Sequence, residues 1–240
     1  MSTTTIIARR ELSSYFRLPV GWFTIALFLF LCGCVFALAV LEPGRVASLR
    51  AFFGAAGWLL LPVVPAISMR LFSEEMRSGT IEPLITSPAR ESSIVLGKYL
   101  GAVMMLGLML LPTLLYAWVL AKVSARPPEF GPLAAGYLSL FLPGVFYLAV
   151  GTLCSALTNN QTLAFLGSLF ILLAIMLASA LGPGIAPAWM QPALRWISFD
   201  ARIQDFAKGV IDLRHVIFFF AASVLPLVLA GVALRARRLG

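Results

Sequence analysis

The chain has 240 residues, of which 60% are hydrophobic and 12% are charged, and its mean hydropathy is +0.96. Ordinary soluble domains have about 45–50% apolar and about 25% charged residues, so this composition predicts a membrane protein and excludes a sizeable soluble catalytic domain. The net charge is +8. In a membrane protein such an excess is typical of basic loops beside anionic lipid head groups, and we expect no nucleic acid as a partner.

The N-terminal residues 2–18 show a partial helical stripe. The apolar members are Ile6, Ile7, Leu12, Tyr15 and Phe16, and the polar members are Arg9, Arg10, Ser13, Ser14 and Arg17. This pattern predicts an interfacial helix that lies on the membrane surface. The alternative is a disordered polar tail.

Six apolar stretches without a charged residue follow, each long enough to span a bilayer as a helix. They cover residues 20–41, 51–69, 99–121, 133–157, 162–181 and 216–234. The first stretch could imitate a cleaved signal peptide, but it continues to Leu41 without a polar mature start. The pieces between the stretches are too short to fold independently. The sequence therefore predicts an all-α membrane protein with a single six-span domain, residues 1–240.

An even number of spans places both termini on the same side of the membrane. Ten Lys and Arg residues lie on the side of the termini and eight lie on the other side. Because cytoplasmic loops carry the excess of Lys and Arg, this distribution favours cytoplasmic termini.

Residues 70–98 form the one substantial loop on the side of the termini, and we call this segment the 70–98 element. It begins with a helix-permissive stretch, Phe72–Ser78, which Gly79 ends. Ser87 and Pro88 have the residue types that begin a helix, and that helix can run unbroken into the third span. The pattern predicts a short, stiffly held helix–turn–helix that protrudes from the membrane, which suits mechanical coupling better than catalysis.

Residues 182–215, on the opposite side, are broken up by glycine and proline and contain Trp189 and Trp196. Tryptophan is enriched at the level of the lipid head groups. We expect short re-entrant or interfacial helices before the last span. The alternative is an ordinary extracellular loop.

Catalytic groups are scarce along the chain. Its one histidine, His215, lies at the edge of the last span, where an interfacial polar role is the simpler interpretation. Gly97-Lys98 lacks the upstream glycine of a phosphate-binding loop, and Tyr99 stands where such a loop has Ser or Thr. We therefore expect no catalytic residue and no nucleotide bound by this chain.

Metal ligands and ion-coupling residues are scarce as well. Cys32, Cys34 and Cys154 all lie in apolar stretches and have no metal-site spacing, so we expect no metal site. Proton- and ion-coupled carriers usually hold charged side chains inside the membrane. None of the six stretches does, so the energy for any transport must come from elsewhere. No polar constellation marks a substrate-binding site.

Residues 74–98 read EEMRSGTIEPLITSPARESSIVLGK and resemble the hallmark of ABC-2 type transporter permeases. In that family an acidic stretch, a Gly-Thr-x-Glu motif, a Ser-Pro pair and an apolar-Gly-Lys start of the third span lie between spans two and three. The matching positions are Glu75, Gly79, Thr80, Glu82, Leu84, Ser87, Pro88, Gly97 and Lys98.

A second segment precedes the last span and reads FAKGVID, residues 206–212. Through Phe206, Gly209 and Asp212 it is similar to a segment of the gliding-motility-type branch of these permeases.

The resemblance implies a permease without an ATP-binding domain of its own. Two copies of a cytoplasmic ABC ATPase, using ATP and Mg²⁺, would bind a pair of identical or homologous permeases in the bacterial inner membrane. Closure of the ATPases would push the 70–98 element, a coupling helix that presents the carboxylates of Glu74, Glu75 and Glu82. The family implies export, and the substrate would be large or amphipathic. An auxiliary membrane or periplasmic subunit would be a further partner.

Two other functions remain open from the residues alone. A stand-alone carrier or channel would work without a nucleotide-binding partner. A non-transporting scaffold of a surface machine would show no ATP-dependent cycle.

Overall fold

The computed structural model describes residues 2–17, 19–41, 48–80, 90–124, 130–185, 206 and 212–239. Within these ranges the regular elements are nine α-helices and one 3₁₀ turn. They are α1 (Thr3–Arg17), α2 (Pro19–Ala39), α3 (Arg50–Ser68), α4 (Arg70–Arg77), α5 (Glu91–Leu110), the 3₁₀ turn (Leu111–Thr113), α6 (Leu114–Val123), α7 (Phe130–Leu157), α8 (Gln161–Ile185) and α9 (Leu213–Leu239).

The six predicted spans are confirmed, because six helices in the described ranges are long and apolar enough to cross a membrane. Most helices extend a few residues beyond the apolar stretches. The third span runs from Glu91 to Val123 and includes α5, the 3₁₀ turn and α6. Pro112 lies in that turn, where its missing N–H costs least, since the α-helical hydrogen bonds are already interrupted there.

Helix α7 is the central helix of the bundle. Of an 18-residue apolar stretch in α7, 83% of the residues are buried, against 17% in α2 and 22% in α8 and α9. Small residues let its neighbours approach closely. A Cβ atom at Gly136 would stand 2.0 Å from the Phe53 ring of α3, and one at Gly151 would stand 1.8 Å from Oγ of Ser68.

The outer helices expose large apolar side chains. Trp22, Phe23 and Phe30 of α2, Phe170 of α8 and Leu225 of α9 are among them. On a protein with six spanning helices, such surfaces face lipid or another membrane-embedded subunit. This is the architecture of a multi-pass membrane protein.

Helix α1 forms where the sequence predicts it, and one side of it packs on the helix bundle. Its buried residues are Ile7, Ala8, Glu11 and Tyr15, and Ile6 of the predicted apolar stripe is exposed. The buried side lies against α5. A Cβ at Gly97 would stand 2.7 Å from Cβ of Ile7, and one at Gly101 would stand 2.7 Å from Cβ of Glu11. Two glycines, four residues apart, thus form the groove that receives α1.

One end of the bundle, which we call the terminal end, gathers α1, α4 and the last turns of α9. Arg237 of α9 donates one hydrogen bond to Oδ1 of Asn159 and one to the carbonyl oxygen of Leu157, both at 3.1 Å. Helix α4 and the beginning of α5 lie at the same end, because both contact α1. The expectation that the termini share one side with the 70–98 element is therefore met by the arrangement of the helices.

Several predictions fall partly outside the described residues. The predicted start at Ser87 and Pro88 lies outside them, and the described helix begins at Glu91. Of the predicted re-entrant region, α8 continues to Ile185, and the rest of residues 186–211 is outside the described part except Phe206.

Candidate functional site

Helix α4 begins directly after α3, at a break centred on Met69. The first N–H groups of a helix lack partners within the helix. Here Oγ of Ser155, near the end of α7, accepts hydrogen bonds from the backbone N–H of Phe72 at 3.0 Å and of Ser73 at 3.1 Å. The same hydroxyl donates to the carbonyl oxygen of Met69 at 2.8 Å. Ser155 therefore fixes the beginning of α4 to the central helix.

The C-terminal end of α4 lies where the sequence predicts it. Gly79 has φ +70°, a left-handed conformation that glycine adopts without a steric penalty. The backbone N–H of Ser78 donates to the carbonyl oxygen of Glu74 at 3.0 Å, and that of Gly79 donates to Met76 at 3.4 Å. The helix thus ends at the predicted glycine, and Thr80 lies exposed just beyond it.

Four charged side chains meet between α1, α4 and α5, and we call them the Lys98 cluster: Arg10, Glu11, Glu75 and Lys98. Nζ of Lys98 lies 2.9 Å from Oε1 of Glu75 and 3.0 Å from Oε2 of Glu11. Nη2 of Arg10 lies 3.4 Å from Oε1 of Glu75. The Lys98 side chain is only 2% exposed. Lys98 and Glu11 are thus paired where water has little access, whereas Arg10 is 58% exposed and reaches Glu75 from the surface. Oε2 of Glu75 is buried and has no hydrogen-bond partner among the described residues.

The pairing of the charges determines how the Lys98 cluster affects the stability of the fold. Withdrawing an ammonium group from water costs several kcal/mol, which ion pairs with good geometry offset. The Lys98 ammonium also lies 5.4 Å from the centre of the Phe72 ring, within cation–π range. The intact cluster contributes only modestly to the free energy of unfolding. Removing one partner lowers that free energy by much more, because it leaves an uncompensated buried charge.

A second set of contacts holds α4 against α1. Nη2 of Arg70 lies 2.9 Å from Oε2 of Glu74, one turn further along α4. The Arg70 guanidinium lies 5.8 Å from the centre of the Tyr15 ring of α1, and the Tyr15 hydroxyl donates to the carbonyl oxygen of Ile67 at 2.8 Å. Burial, and next the negative charge of Glu11, raise the pKa of Tyr15 well above its ordinary value. Tyr15 therefore stays a neutral hydrogen-bond donor.

The structure brings some of the predicted site residues together and separates others. Glu75 and Lys98 are directly paired, and Gly97 lies against α1. Asp212 is part of the last span's start, where its Oδ1 accepts a hydrogen bond from the backbone N–H of Arg214 at 2.8 Å. Phe206 is buried against the His215 ring, with ring centres 5.6 Å apart. Glu82, Leu84, Ser87, Pro88 and Gly209 lie outside the described residues.

The carboxylates of α4 differ from the expected arrangement. We expected both Glu74 and Glu75 to project outwards, but the Glu75 side chain is 20% exposed and its Oε1 is shared by Lys98 and Arg10. Glu74 is 45% exposed and pairs with Arg70. Glu75 therefore stabilises the attachment of α4, and the described residues exposed at its end are Arg77, Ser78, Gly79 and Thr80.

Arg10, Glu11 and Ser155 hold this site together but were absent from the predicted site residues. Glu11 shares the buried side of α1 with Ile7 and Tyr15, at spacings of four residues, so a charged residue inside an apolar helical stripe was the available signal. Ser155 has no such signal, because its role depends on how α4 and α7 meet. Together with the Lys98 cluster, these contacts attach α4 to three other helices, an arrangement that can transmit displacement from one helix to the next.

Comparison with known proteins bears directly on this element. A family model described as "ABC-2 family transporter protein" matches residues 5–198, a range that contains the 70–98 element and all but the first two residues of α1. Two curated relatives, the probable multidrug ABC transporter permease YbhR of Escherichia coli strain K12 and that of Escherichia coli O157:H7, are each 27% identical over 143 residues. The match covers 58% of this chain and 37% of each relative, so it spans little more than a third of the relatives' own length. The family match extends over well over half of the chain, and the chain therefore belongs to the ABC-2 family of transporter proteins.

Proposed function

We propose that the chain is the membrane-spanning permease of an ABC exporter and that a separate cytoplasmic ATPase drives it through the 70–98 element. The observation that carries this proposal is the attachment of α4. Ser155 joins its beginning to α7, Lys98 joins Glu75 to α5, and Arg10 joins the same carboxylate to α1.

This attachment suits a lever that is pushed from outside the membrane. A helix held by one contact would rotate away under load. Helix α4 instead meets side chains from α1, α5 and α7 within its eight residues. A push on its exposed end at Arg77–Thr80 would therefore move the spans to which it is fixed, as in small helix shifts between packed helices.

The proposed partners follow from the family. Two copies of the ATPase, using ATP and Mg²⁺, would bind two permease subunits in the bacterial inner membrane, with the termini in the cytoplasm. The exposed apolar surfaces of α2, α8 and α9 offer area for the second permease, identical or homologous, and for lipid. An auxiliary membrane or periplasmic subunit would complete the assembly.

The proposed substrate is large, amphipathic or hydrophobic. The six apolar stretches contain no Asp, Glu, Lys, Arg or His that would select a small ion. The name of the two relatives, probable multidrug ABC transporter permease, agrees with a substrate of this class.

Co-purification tests the coupling. The tagged chain is extracted from its native source in mild detergent, and the proteins bound to it are identified by mass spectrometry. We expect the wild type to retain a P-loop ATPase and the Thr80→Arg/Glu82→Arg variant to lose it, because both substitutions place a bulky positive charge on the part of the element that would face the ATPase.

Lys122→Glu provides the matched control. Lys122 is exposed near the end of α6, at the opposite end of the bundle, so this variant should retain the ATPase. If the folded wild type retains no ATPase, a stand-alone carrier or a scaffold replaces the proposal. If the Thr80→Arg/Glu82→Arg variant retains it as well as the control, the ATPase binds elsewhere on the chain.

A further inference from the structure

An open cleft of about 760 Å³ lies at the terminal end of the bundle, beside α4. Its polar lining comprises Arg77, Thr158, Asn159, Asn160, Thr162 and Arg237. These residues come from the end of α4, the connection between α7 and α8, the beginning of α8 and the last turns of α9. A volume of this size falls within the range of small-molecule sites, about 300–1,000 Å³.

The cleft is strongly positive. Among the described residues that line it there are two guanidinium groups and no carboxylate. Arg77 makes no hydrogen bond or ion pair within the described part of the chain, so its charge there is uncompensated. In contrast, the neighbouring Arg70 is paired with Glu74 at 2.9 Å. The cleft therefore favours an anion.

Arg237 is already positioned to bind one. Its two terminal nitrogens donate to Oδ1 of Asn159 and to the carbonyl oxygen of Leu157, both at 3.1 Å, which fixes the guanidinium plane. A guanidinium carries five N–H donors, so donors remain for a ligand. A planar, pre-positioned guanidinium is the group that best recognises phosphate oxygens.

The surroundings of the cleft indicate where the anion comes from. Leu157 at the end of α7, Leu163 at the beginning of α8 and Val232, five residues before Arg237 in α9, are each more than half exposed. On a membrane-spanning protein these apolar side chains contact acyl chains, so the cleft lies where the apolar part of the bundle gives way to its polar end. A phosphate attached to acyl chains can contact the positive cleft and the apolar side chains beside it at the same time. A free anion or an acidic protein side chain can contact only the positive cleft.

We propose that this cleft binds the phosphate head group of an anionic membrane lipid, between Arg77 and Arg237. Cytoplasmic leaflets are rich in such lipids, and clustered Lys and Arg beside a spanning helix attract them. Bound there, the lipid connects the end of α4 to the last span. The proposal rests on the chain spanning a membrane and does not depend on an ATPase.

Native mass spectrometry of the whole chain in detergent tests the proposal. Phosphatidylglycerol, phosphatidylcholine and inorganic phosphate are titrated separately into delipidated protein. We expect saturable retention of phosphatidylglycerol, weaker retention of phosphatidylcholine, which has the same phosphate without net charge, and little retention of inorganic phosphate. The Arg77→Gln/Arg237→Gln variant should bind phosphatidylglycerol roughly tenfold or more weakly, because hydrogen bonds between charged groups are lost.

Arg9→Gln/Arg17→Gln is the matched control. Both arginines are exposed on α1 at the same end of the molecule, so the control removes the same charge and leaves the cleft intact. Retention by the control with loss in the cleft variant supports the proposal, provided that the thermal unfolding midpoints of the two variants are similar. Equal loss in both variants, unchanged binding in the cleft variant, or inorganic phosphate binding as tightly as the lipid would each overturn it.

Discussion

Nζ of Lys98, at the start of the third span, lies 3.0 Å from Oε2 of Glu11, which is 87 residues earlier in the chain. This contact and the 2.9 Å contact from Lys98 to Glu75 join the amphipathic N-terminal helix and the short helix α4 through one buried ammonium group. The attachment of α4 therefore depends on a residue that belongs to neither α1 nor α4.

Replacing Lys98 with Met removes the charge and keeps most of the side-chain volume. The carboxylates of Glu11 and Glu75 then lose their shared buried cation, and we expect the loss of about 3–5 kcal/mol that follows when one partner of a buried ion pair is removed. The thermal unfolding midpoint in detergent should fall clearly. Lys122→Met, at an exposed position, should leave it nearly unchanged.

Compensating substitutions can separate the contribution of charge to this loss of stability from the contribution of packing. If unpaired carboxylates cause the loss, adding Glu11→Gln and Glu75→Gln to Lys98→Met should restore part of the midpoint, because neutral amides tolerate burial better than carboxylates. A triple variant less stable than the single one would contradict this account of the cluster.

Ser155→Ala tests the attachment of α4 to the central helix. The variant leaves the N–H groups of Phe72 and Ser73 without their acceptor, which should cost about 1–3 kcal/mol. Hydrogen exchange measured by mass spectrometry should rise in peptides that cover residues 69–77. The hydroxyl of Ser139 donates to the carbonyl oxygen of Gly136 in its own helix, so Ser139→Ala should leave exchange in residues 69–77 unchanged.

Two glycines of α5 offer a matched pair for the docking of α1. A Cβ at Gly101 would stand 2.7 Å from Cβ of Glu11, whereas no atom of the described residues lies within 4 Å of a Cβ at Gly107. Gly101→Ala should destabilise by about 1–3 kcal/mol through overpacking. Gly107→Ala should be neutral or stabilise by about 0.5–1 kcal/mol, since glycine is a poor helix former. Equal unfolding midpoints for the two variants would show that α1 does not pack closely on α5.

Cysteine labelling tests the orientation. In a background in which the three native cysteines are replaced by serine, Thr80→Cys at the terminal end and Ser124→Cys at the other end are treated with a membrane-impermeant maleimide. In intact cells from which any outer membrane has been removed, we expect labelling at position 124 alone, because cytoplasmic termini place Thr80 inside. Labelling at position 80 alone would invert the proposed orientation.

Local patterns in the sequence predicted much of the fold. The six spans follow from apolar length, and the end of α4 follows from Gly79, since both depend on residues near in sequence. The Lys98 cluster could not be predicted in this way. Its pairs join residues that are distant in the chain, and α1 had to be placed on α5 before Glu11 and Lys98 could meet. For the same reason, the family motif identified Glu75 as a matching position but could not predict that its carboxylate pairs with Lys98.

The distance in sequence between Glu11 and Lys98 also limits when α1 can dock during synthesis of the protein. When α1 leaves the ribosome, neither its groove at Gly97 and Gly101 nor the partner of Glu11 exists yet. Both appear only after two spans and α4 have been made. Helix α1 can therefore dock in this groove only after the beginning of α5 has been synthesised. The same lysine, Lys98, also pairs with Glu75, so the fixing of α4 by Lys98 depends on the same step of synthesis as the docking of α1.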